Sequence, residues 1–121
     1  MAAKILIIDD DPVWRQMLHR LLKAEDYDPV VAADATTALT ETQRQKPDLI
    51  LLDLGLPGGG GESYLHRLKS FPALMLIPII VISGLDPVQA EATATEAGAA
   101  GYLKKPVSKE ELISTIRKVL G

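Results

Sequence analysis

One stretch of the sequence combines an unbroken apolar run with an abrupt stop at a carboxylate. The run covers residues 49–52 and contains only Leu and Ile, which is typical of a strand buried on both faces of a parallel sheet. Asp53 ends the run, and Pro57 and the glycines at 58–61 follow, a composition that predicts a mobile turn. We therefore expect Asp53 at the carboxyl end of a central parallel strand, the edge where open α/β sheets bind ligands.

Strand-like apolar runs and helical segments alternate five times along the chain. This pattern predicts a doubly wound, flavodoxin-like α/β fold, in which a five-stranded parallel sheet carries helices on both faces. Right-handed crossovers leave few topologies, and we expect the strand order 2-1-3-4-5, which would put the ends of strands one and three side by side at the switch point. The predicted strands are 4–8, 28–33, 49–52, 77–82 and 100–104, and the predicted helices are 12–24, 36–45, 62–69, 87–97 and 108–120. We expect residues 1–121 to form one domain.

Composition excludes several classes of protein. The 121 residues are 47% hydrophobic and 24% charged, with a formal net charge of −3 and no cysteine. The absence of a basic stripe argues against direct binding to nucleic acid, and the absence of cysteine excludes disulfides and thiolate metal sites. No apolar run approaches the roughly 20 residues of a membrane span, and the acidic N-terminal segment does not resemble a signal peptide. We expect a cytoplasmic protein without a membrane anchor.

Acidic residues follow the first and third predicted strands. Asp9 and Asp10 come after the first strand and Asp53 after the third, so the expected strand order brings them together. Three adjacent carboxylates repel each other unless a cation lies among them, and oxygen-only donors favour a hard ion, most simply Mg²⁺. The run of three aspartates also suits a helix cap, with Asp11 as the N-cap and Pro12 in the first turn.

The fourth and fifth strands end in a hydroxyl and in lysines. Ser83 precedes Gly84, which leaves room for a ligand, and either Lys104 or Lys105 faces the same edge, because side chains alternate along a strand. Taken singly, these residues suit an ordinary strand-end turn and a solvated lysine. Together with Asp53 and a cation they are the groups needed to hold a phosphoryl group on a carboxylate, with Asp53 as the nucleophile.

Four segments, in this order and spacing, resemble the receiver domain of two-component response regulators over essentially the whole chain. They are ILIIDDD at 5–11, LILLDLGLP at 49–57 with Gly61, PIIVISG at 78–84 and AGAAGYLKKP at 97–106. The resemblance implies a phosphorelay switch rather than an enzyme. Such a switch accepts a phosphoryl group from a histidine kinase or a histidine phosphotransfer protein, and promotes its own phosphorylation and dephosphorylation.

The resemblance also assigns roles at the acidic end of the sheet. Asp53 matches the phosphoacceptor, and Asp9 and Asp10 match the acidic pair, with Asp10 as the more direct metal ligand. Gly55 matches the position whose backbone carbonyl binds the ion. The implied ion is Mg²⁺, with Mn²⁺ as an alternative.

Further assignments concern the switch. Ser83 matches the switch hydroxyl, and Tyr102 matches the aromatic residue that turns inward with it; on its own, Tyr102 also suits a half-buried edge tyrosine. Lys105 matches the family's lysine because it directly precedes Pro106, and the bond between them is expected to be cis. The family contacts effectors or dimerises through the face formed by the fourth helix, the fifth strand and the fifth helix, and docks its phosphodonor at the first helix.

Three questions stay open at the level of sequence. A phosphatase of the haloacid dehalogenase type uses an Asp-x-Asp motif after its first strand, which residues 9–11 satisfy, but such an enzyme leaves Asp53 unexplained. A degenerate receiver would bind partners without accepting phosphate, although every site residue is intact here. Finally, Trp14 is large for its position and either lies over the mouth of the site or packs in the core.

Overall fold

Within residues 2–121, the part of the chain that the computed structural model describes, strands and helices alternate as predicted. The strands are β1 (Lys4–Ile8), β2 (Asp28–Ala32), β3 (Leu49–Asp53), β4 (Ile79–Ser83) and β5 (Gly101–Lys104). The α-helices are α1 (Pro12–Ala24), α2 (Ala35–Gln45), α3 (Gly60–Leu68), α4 (Pro87–Glu96) and α5 (Lys109–Leu120).

The five strands form one parallel sheet in the order β2-β1-β3-β4-β5, which confirms the predicted doubly wound architecture. Ile8 near the end of β1 lies beside Leu52 of β3, and Asp53 lies beside Ile82 of β4. The chain reverses its direction of winding between β1 and β3. Their carboxyl ends therefore flank the crevice where a fold of this kind binds its ligand.

Two apolar clusters cover the two faces of the sheet. On one face, α1 and α5 contribute Leu18, Leu22 and Ile113. On the other face, α2, α3 and α4 pack over the sheet, with Tyr64 of α3 fully buried. Each Leu or Ile that is removed from water contributes about 1.5–3 kcal/mol to stability. The buried sheet is thus a stable platform, and it fixes the positions of the strand ends.

Side-chain caps determine where four of the helices begin. The carboxylates of Asp11, Asp34 and Asp86 accept hydrogen bonds from backbone N–H groups in the first turns of α1, α2 and α4. The Ser108 hydroxyl caps α5 in the same way. Each cap satisfies an N–H group that has no partner within its own helix. The cap predicted at Asp11 is confirmed.

The predicted start of the fourth strand is wrong. The sequence predicted residues 77–82, whereas β4 begins two residues later and includes Ser83. The preceding residues form turns instead, in which the Leu74 N–H donates to the Phe71 carbonyl at 2.8 Å and the Ile77 N–H donates to the Leu74 carbonyl at 3.1 Å. Pro78 has no N–H group to offer a neighbouring strand, although its carbonyl accepts from the Ile50 N–H at 3.0 Å, so the strand itself begins with Ile79.

The glycine-rich segment after β3 is helical rather than open. A 3₁₀ turn covers Pro57–Gly59 and leads directly into α3, which was predicted to begin at residue 62 but begins at Gly60. Gly58 and Gly59 both have positive φ angles, +65° and +69°, a region that glycine enters without steric cost. Two successive glycines therefore let the chain turn sharply between β3 and α3. The other predicted bounds agree with the structure to within one residue.

Candidate functional site

Three carboxylates meet where β1 and β3 end. Asp9, Asp10 and Asp53 each place a carboxylate oxygen within 4.8 Å of the others. Asp9 and Asp53 are nearly inaccessible, at 2% and 6% exposure, while Asp10 is exposed to solvent. The fold therefore brings together the three acidic residues that the sequence analysis selected, at the predicted edge of the sheet.

Backbone amides hold the two buried carboxylates in place. The Asp11 N–H donates to Asp9 Oδ1 at 2.9 Å, and the Gly55 N–H donates to Asp53 Oδ1 at 2.8 Å. Asp11 itself accepts from the N–H groups of the first turn of α1. The run of three aspartates thus contains both structures that the sequence left open, since Asp11 is the helix cap and the other two belong to the acidic cluster.

Lys105 provides the positive charge of the cluster. Its Nζ lies 3.1 Å from Asp9 Oδ2 and 3.5 Å from Asp53 Oδ2. Lys104 is exposed. The Lys105–Pro106 peptide bond is cis, which confirms the expectation from the resemblance. The Lys105 N–H also donates to the Ser83 carbonyl at 2.8 Å, so the ends of β4 and β5 stay paired just where the ammonium enters the site.

The electrostatics of the cluster favour an additional cation. Burial raises the pKa of Asp9 above its ordinary value, and the charge of Asp53 adds to the rise, while hydrogen bonds from Asp11 and Lys105 oppose it. Burial alone would lower the pKa of Lys105, but the hydrogen bond to Asp9 and the charge of Asp53 outweigh it and raise the pKa. One ammonium therefore faces three carboxylates. This excess of negative charge on oxygen-only donors fits a hard divalent cation.

Ser83 and Tyr102 lie on β4 and β5, the two strands beyond β3 in the sheet. Ser83 is fully buried at the end of β4, and its Oγ accepts from the Leu85 N–H at 3.0 Å. Tyr102 is half-buried on the edge strand β5, but its hydroxyl is inaccessible and has no hydrogen-bond partner among the described residues. Burial raises the pKa of Tyr102, and the charges of Glu91 and Asp86 on the α4 side raise it further.

Two residues of α1 contact the site, and one of them the sequence analysis missed. Arg15 Nη1 donates to the Asp9 carbonyl at 2.9 Å, which ties the first turn of α1 to the end of β1. No motif pointed to Arg15. For Trp14 both interpretations hold: the ring packs against the apolar cluster shared by α1 and α5, and its centroid lies 5.3 Å from Lys105 Nζ.

Comparison with protein families agrees with this arrangement. Residues 5–117 match the family model described as the response regulator receiver domain. The chain belongs to this receiver domain family. The match favours the receiver interpretation over a phosphatase of the haloacid dehalogenase type, and the helix-capping role of Asp11 also removes one carboxylate from the phosphatase motif.

Curated relatives of this receiver domain are longer proteins. The phosphate regulon transcriptional regulatory protein PhoB of Escherichia coli (strain K12) is 33% identical over 120 residues, which cover 99% of this chain and 52% of PhoB. Response regulator PleD of Caulobacter vibrioides (strain NA1000 / CB15N) is 35% identical over 119 residues, which cover 98% of this chain and 26% of PleD. The chain thus spans about half, or less, of the length of these relatives.

Solved structures show the same fold. The chemotaxis response regulator CheY4 of Vibrio cholerae superimposes with a TM-score of 0.90 at 28% identity, covering 99% of this chain and 100% of CheY4. The BeF3-activated N-terminal receiver domain of Klebsiella pneumoniae RstA gives a TM-score of 0.87 at 31% identity, covering 97% of each chain.

Membership in this family implies a phosphoacceptor role in two-component signalling. Receiver domains of the CheY type are signalling domains and generally not enzymes. The family works between a histidine kinase and an output effector. In the part of the chain that the structure describes, every helix is too short or too polar to cross a membrane.

Proposed function

We propose that this chain is a phosphorylation switch in which Asp53 accepts a phosphoryl group from a phosphohistidine on a histidine kinase or a histidine phosphotransfer protein. The observation that carries the proposal is the placement of one ammonium, Lys105 Nζ, between two nearly inaccessible carboxylates, with a third carboxylate beside them. A structural ion pair needs one carboxylate, whereas a site for a transferring phosphoryl group needs a nucleophile, a cation site and a fixed positive charge.

The transfer exchanges one bond to phosphorus for another. A carboxylate oxygen of Asp53 forms the new O–P bond while the N–P bond of the donor phosphohistidine breaks, and the departing imidazole nitrogen keeps the electron pair of that bond. The Gly55 N–H holds the Asp53 carboxylate in one orientation. This orientation reduces the loss of freedom that the attack would otherwise require.

Lys105 and Ser83 would bind the transferred group. As Asp53 becomes an acyl phosphate, the Lys105 ammonium loses part of its attraction to the Asp53 carboxylate and pairs with a phosphoryl oxygen instead. Ser83 accepts a hydrogen bond from the Leu85 N–H, and its own hydroxyl hydrogen can donate to another phosphoryl oxygen. Both interactions strengthen as negative charge builds up on the phosphoryl oxygens.

A divalent cation would be held by Asp9, Asp10, Asp53 and the backbone carbonyl of Gly55. We propose Mg²⁺, with Mn²⁺ as the alternative, because all donors are oxygens. When bound, such an ion neutralises charge on the transferring oxygens. In this proposal, the excess of carboxylate over ammonium charge described above is the reason that the site recruits the ion.

The output face would be formed by α4, β5 and α5. Only Ala90 and Ala94 of α4 are buried, and Val88 is 78% exposed, so little apolar burial opposes a shift of this helix. When Ser83 moves toward the phosphoryl group, it would leave a space into which Tyr102 moves, and α4 would shift together with Tyr102. An effector, an output domain or a second copy of the chain would then recognise the altered face.

The proposal is tested by intact mass after incubation with a small acyl phosphate, with and without Mg²⁺. We expect a gain of one phosphoryl group that requires both Mg²⁺ and Asp53, so that Asp53→Asn gains none. A wild-type chain that gains no mass from the acyl phosphate or from a phosphohistidine protein would refute the proposal and indicate a degenerate receiver. Donor turnover that survives Asp53→Asn but fails in Asp9→Asn would indicate a phosphatase instead.

A further inference from the structure

Trp14 lies beside the catalytic lysine of the proposed reaction. The centroid of its ring is 5.3 Å from Lys105 Nζ, within the roughly 6 Å over which an ammonium is attracted to the face of an indole. The other neighbours of this ammonium are the carboxylates of Asp9 and Asp53. Of these partners, Asp53 takes up the phosphoryl group in the proposed reaction and both carboxylates can bind a cation, whereas the ring takes part in neither change.

Trp14 is positioned by its own backbone, by a contact of the next residue and by packing against the core. The backbone N–H of Trp14 donates to Asp11 Oδ1 at 3.4 Å. Nη1 of the next residue, Arg15, donates to the Asp9 carbonyl at 2.9 Å. The ring itself packs against the apolar cluster of α1 and α5. These contacts connect the first turn of α1 to the end of β1 and place the indole next to the Lys105 ammonium.

We propose that Trp14 is a positioning residue that keeps the Lys105 ammonium in the site while the attraction of its carboxylate partners is weakened. This inference rests on the proposed function. When a divalent cation binds the carboxylates, or when Asp53 is phosphorylated, the attraction between these two carboxylates and Lys105 weakens. The indole quadrupole is unaffected by these changes, so it retains the ammonium close to Asp53, where a phosphoryl oxygen becomes its new partner.

The test combines phosphorylation rates with a thermodynamic cycle. With an acyl phosphate and Mg²⁺, we expect Trp14→Leu to be phosphorylated roughly three- to tenfold more slowly than wild type, the rate change that corresponds to a partly exposed cation–π contact. Trp14→Phe should fall between the two, because Phe keeps an aromatic face of weaker attraction. Tyr27→Leu is the matched control, since Tyr27 is an aromatic residue that packs against the same apolar cluster. Its rate should equal that of wild type.

The cycle measures the free energy of unfolding for Trp14→Leu, Lys105→Met and the double variant, without Mg²⁺. A direct contact makes the two effects non-additive, whereas the same cycle with Tyr27→Leu should be additive. Additive effects together with an unchanged rate in Trp14→Leu would overturn the proposal, because Trp14 would then be a packing residue alone. If wild type accepts no phosphoryl group, the proposed function fails, and the cycle still decides whether Trp14 holds the ammonium.

Discussion

Substituting Gly61 by alanine should disturb both the fold and the phosphoacceptor, because the new methyl group would press on backbone. A Cβ at this position would lie 2.8 Å from Leu54 Cα and 3.0 Å from the carbonyl oxygens of Asp53 and Leu54. Carbon atoms in contact normally stay about 3.5–4.0 Å apart. No change of side-chain rotamer can relieve this overlap, so either α3 or the segment after β3 must move.

The size of the effect follows from two opposing contributions. Overpacking a buried site costs typically 1–3 kcal/mol, and we use about 3 kcal/mol because the atoms that must move are backbone. Alanine regains up to about 1 kcal/mol of helix propensity in the first turn of α3. The free energy of unfolding should therefore fall by about 2 kcal/mol. Because the methyl group pushes on the Asp53 carbonyl, the folded protein should also accept a phosphoryl group more slowly.

Urea unfolding followed by circular dichroism measures the loss of stability. The rate of mass gain with an acyl phosphate, at a urea concentration below the unfolding transition, measures the slower phosphorylation of the folded protein. Gly59→Ala is the control, since a Cβ there would meet no atom beyond its chain neighbours within 4 Å in the described part of the chain, and faces only the strain of φ +69°. That strain costs about 1–2 kcal/mol and is partly offset by the lower entropy of the unfolded alanine chain. If Gly61→Ala were as stable as Gly59→Ala, and equally reactive, the steric argument would be refuted.

Three further substitutions test the electrostatics and the buried hydroxyls. The pKa of Asp9 is raised, so its ionisation destabilises the folded state as the pH rises above the ordinary value of 3.8. At pH 7 and without divalent ions, Asp9→Asn should therefore unfold at a higher urea concentration than wild type. An equal or lower urea midpoint would contradict this. Burial raises the pKa of Tyr64 to about 12, so this hydroxyl contributes a loss of stability of up to about 1.4 kcal/mol per pH unit from pH 10 toward pH 12. Urea titrations of Tyr64→Phe should show a correspondingly smaller loss than wild type over this range, and an equal loss would contradict the reasoning. The Tyr102 hydroxyl is buried without a partner among the described residues, so Tyr102→Phe should be at least as stable as wild type, and a clear loss on thermal unfolding would reveal a hydrogen bond formed in solution.

The sequence by itself determined the elements and their order. Residues 49–52 are apolar without interruption because β3 is buried on both faces, and the caps Asp11, Asp86 and Ser108 mark helix starts through contacts with residues two or three positions away. Both signals are local, so they can be recognised without coordinates. The known chirality of strand crossovers then leaves few arrangements, and this is why the strand order and the meeting of Asp9 with Asp53 could be predicted.

Only the tertiary structure decided which groups touch within the site. Lys105 and Asp9 are 96 positions apart in the sequence, and nothing local reveals that the lysine reaches both buried carboxylates or that Trp14 lies beside it. The start of β4 also depended on tertiary context, because the apolar residues before Pro78 satisfy their hydrogen bonds in turns instead of pairing with β3. Sequence periodicity reports which face of an element is buried, whereas distances between side chains on different elements arise only when the sheet and the helices pack together.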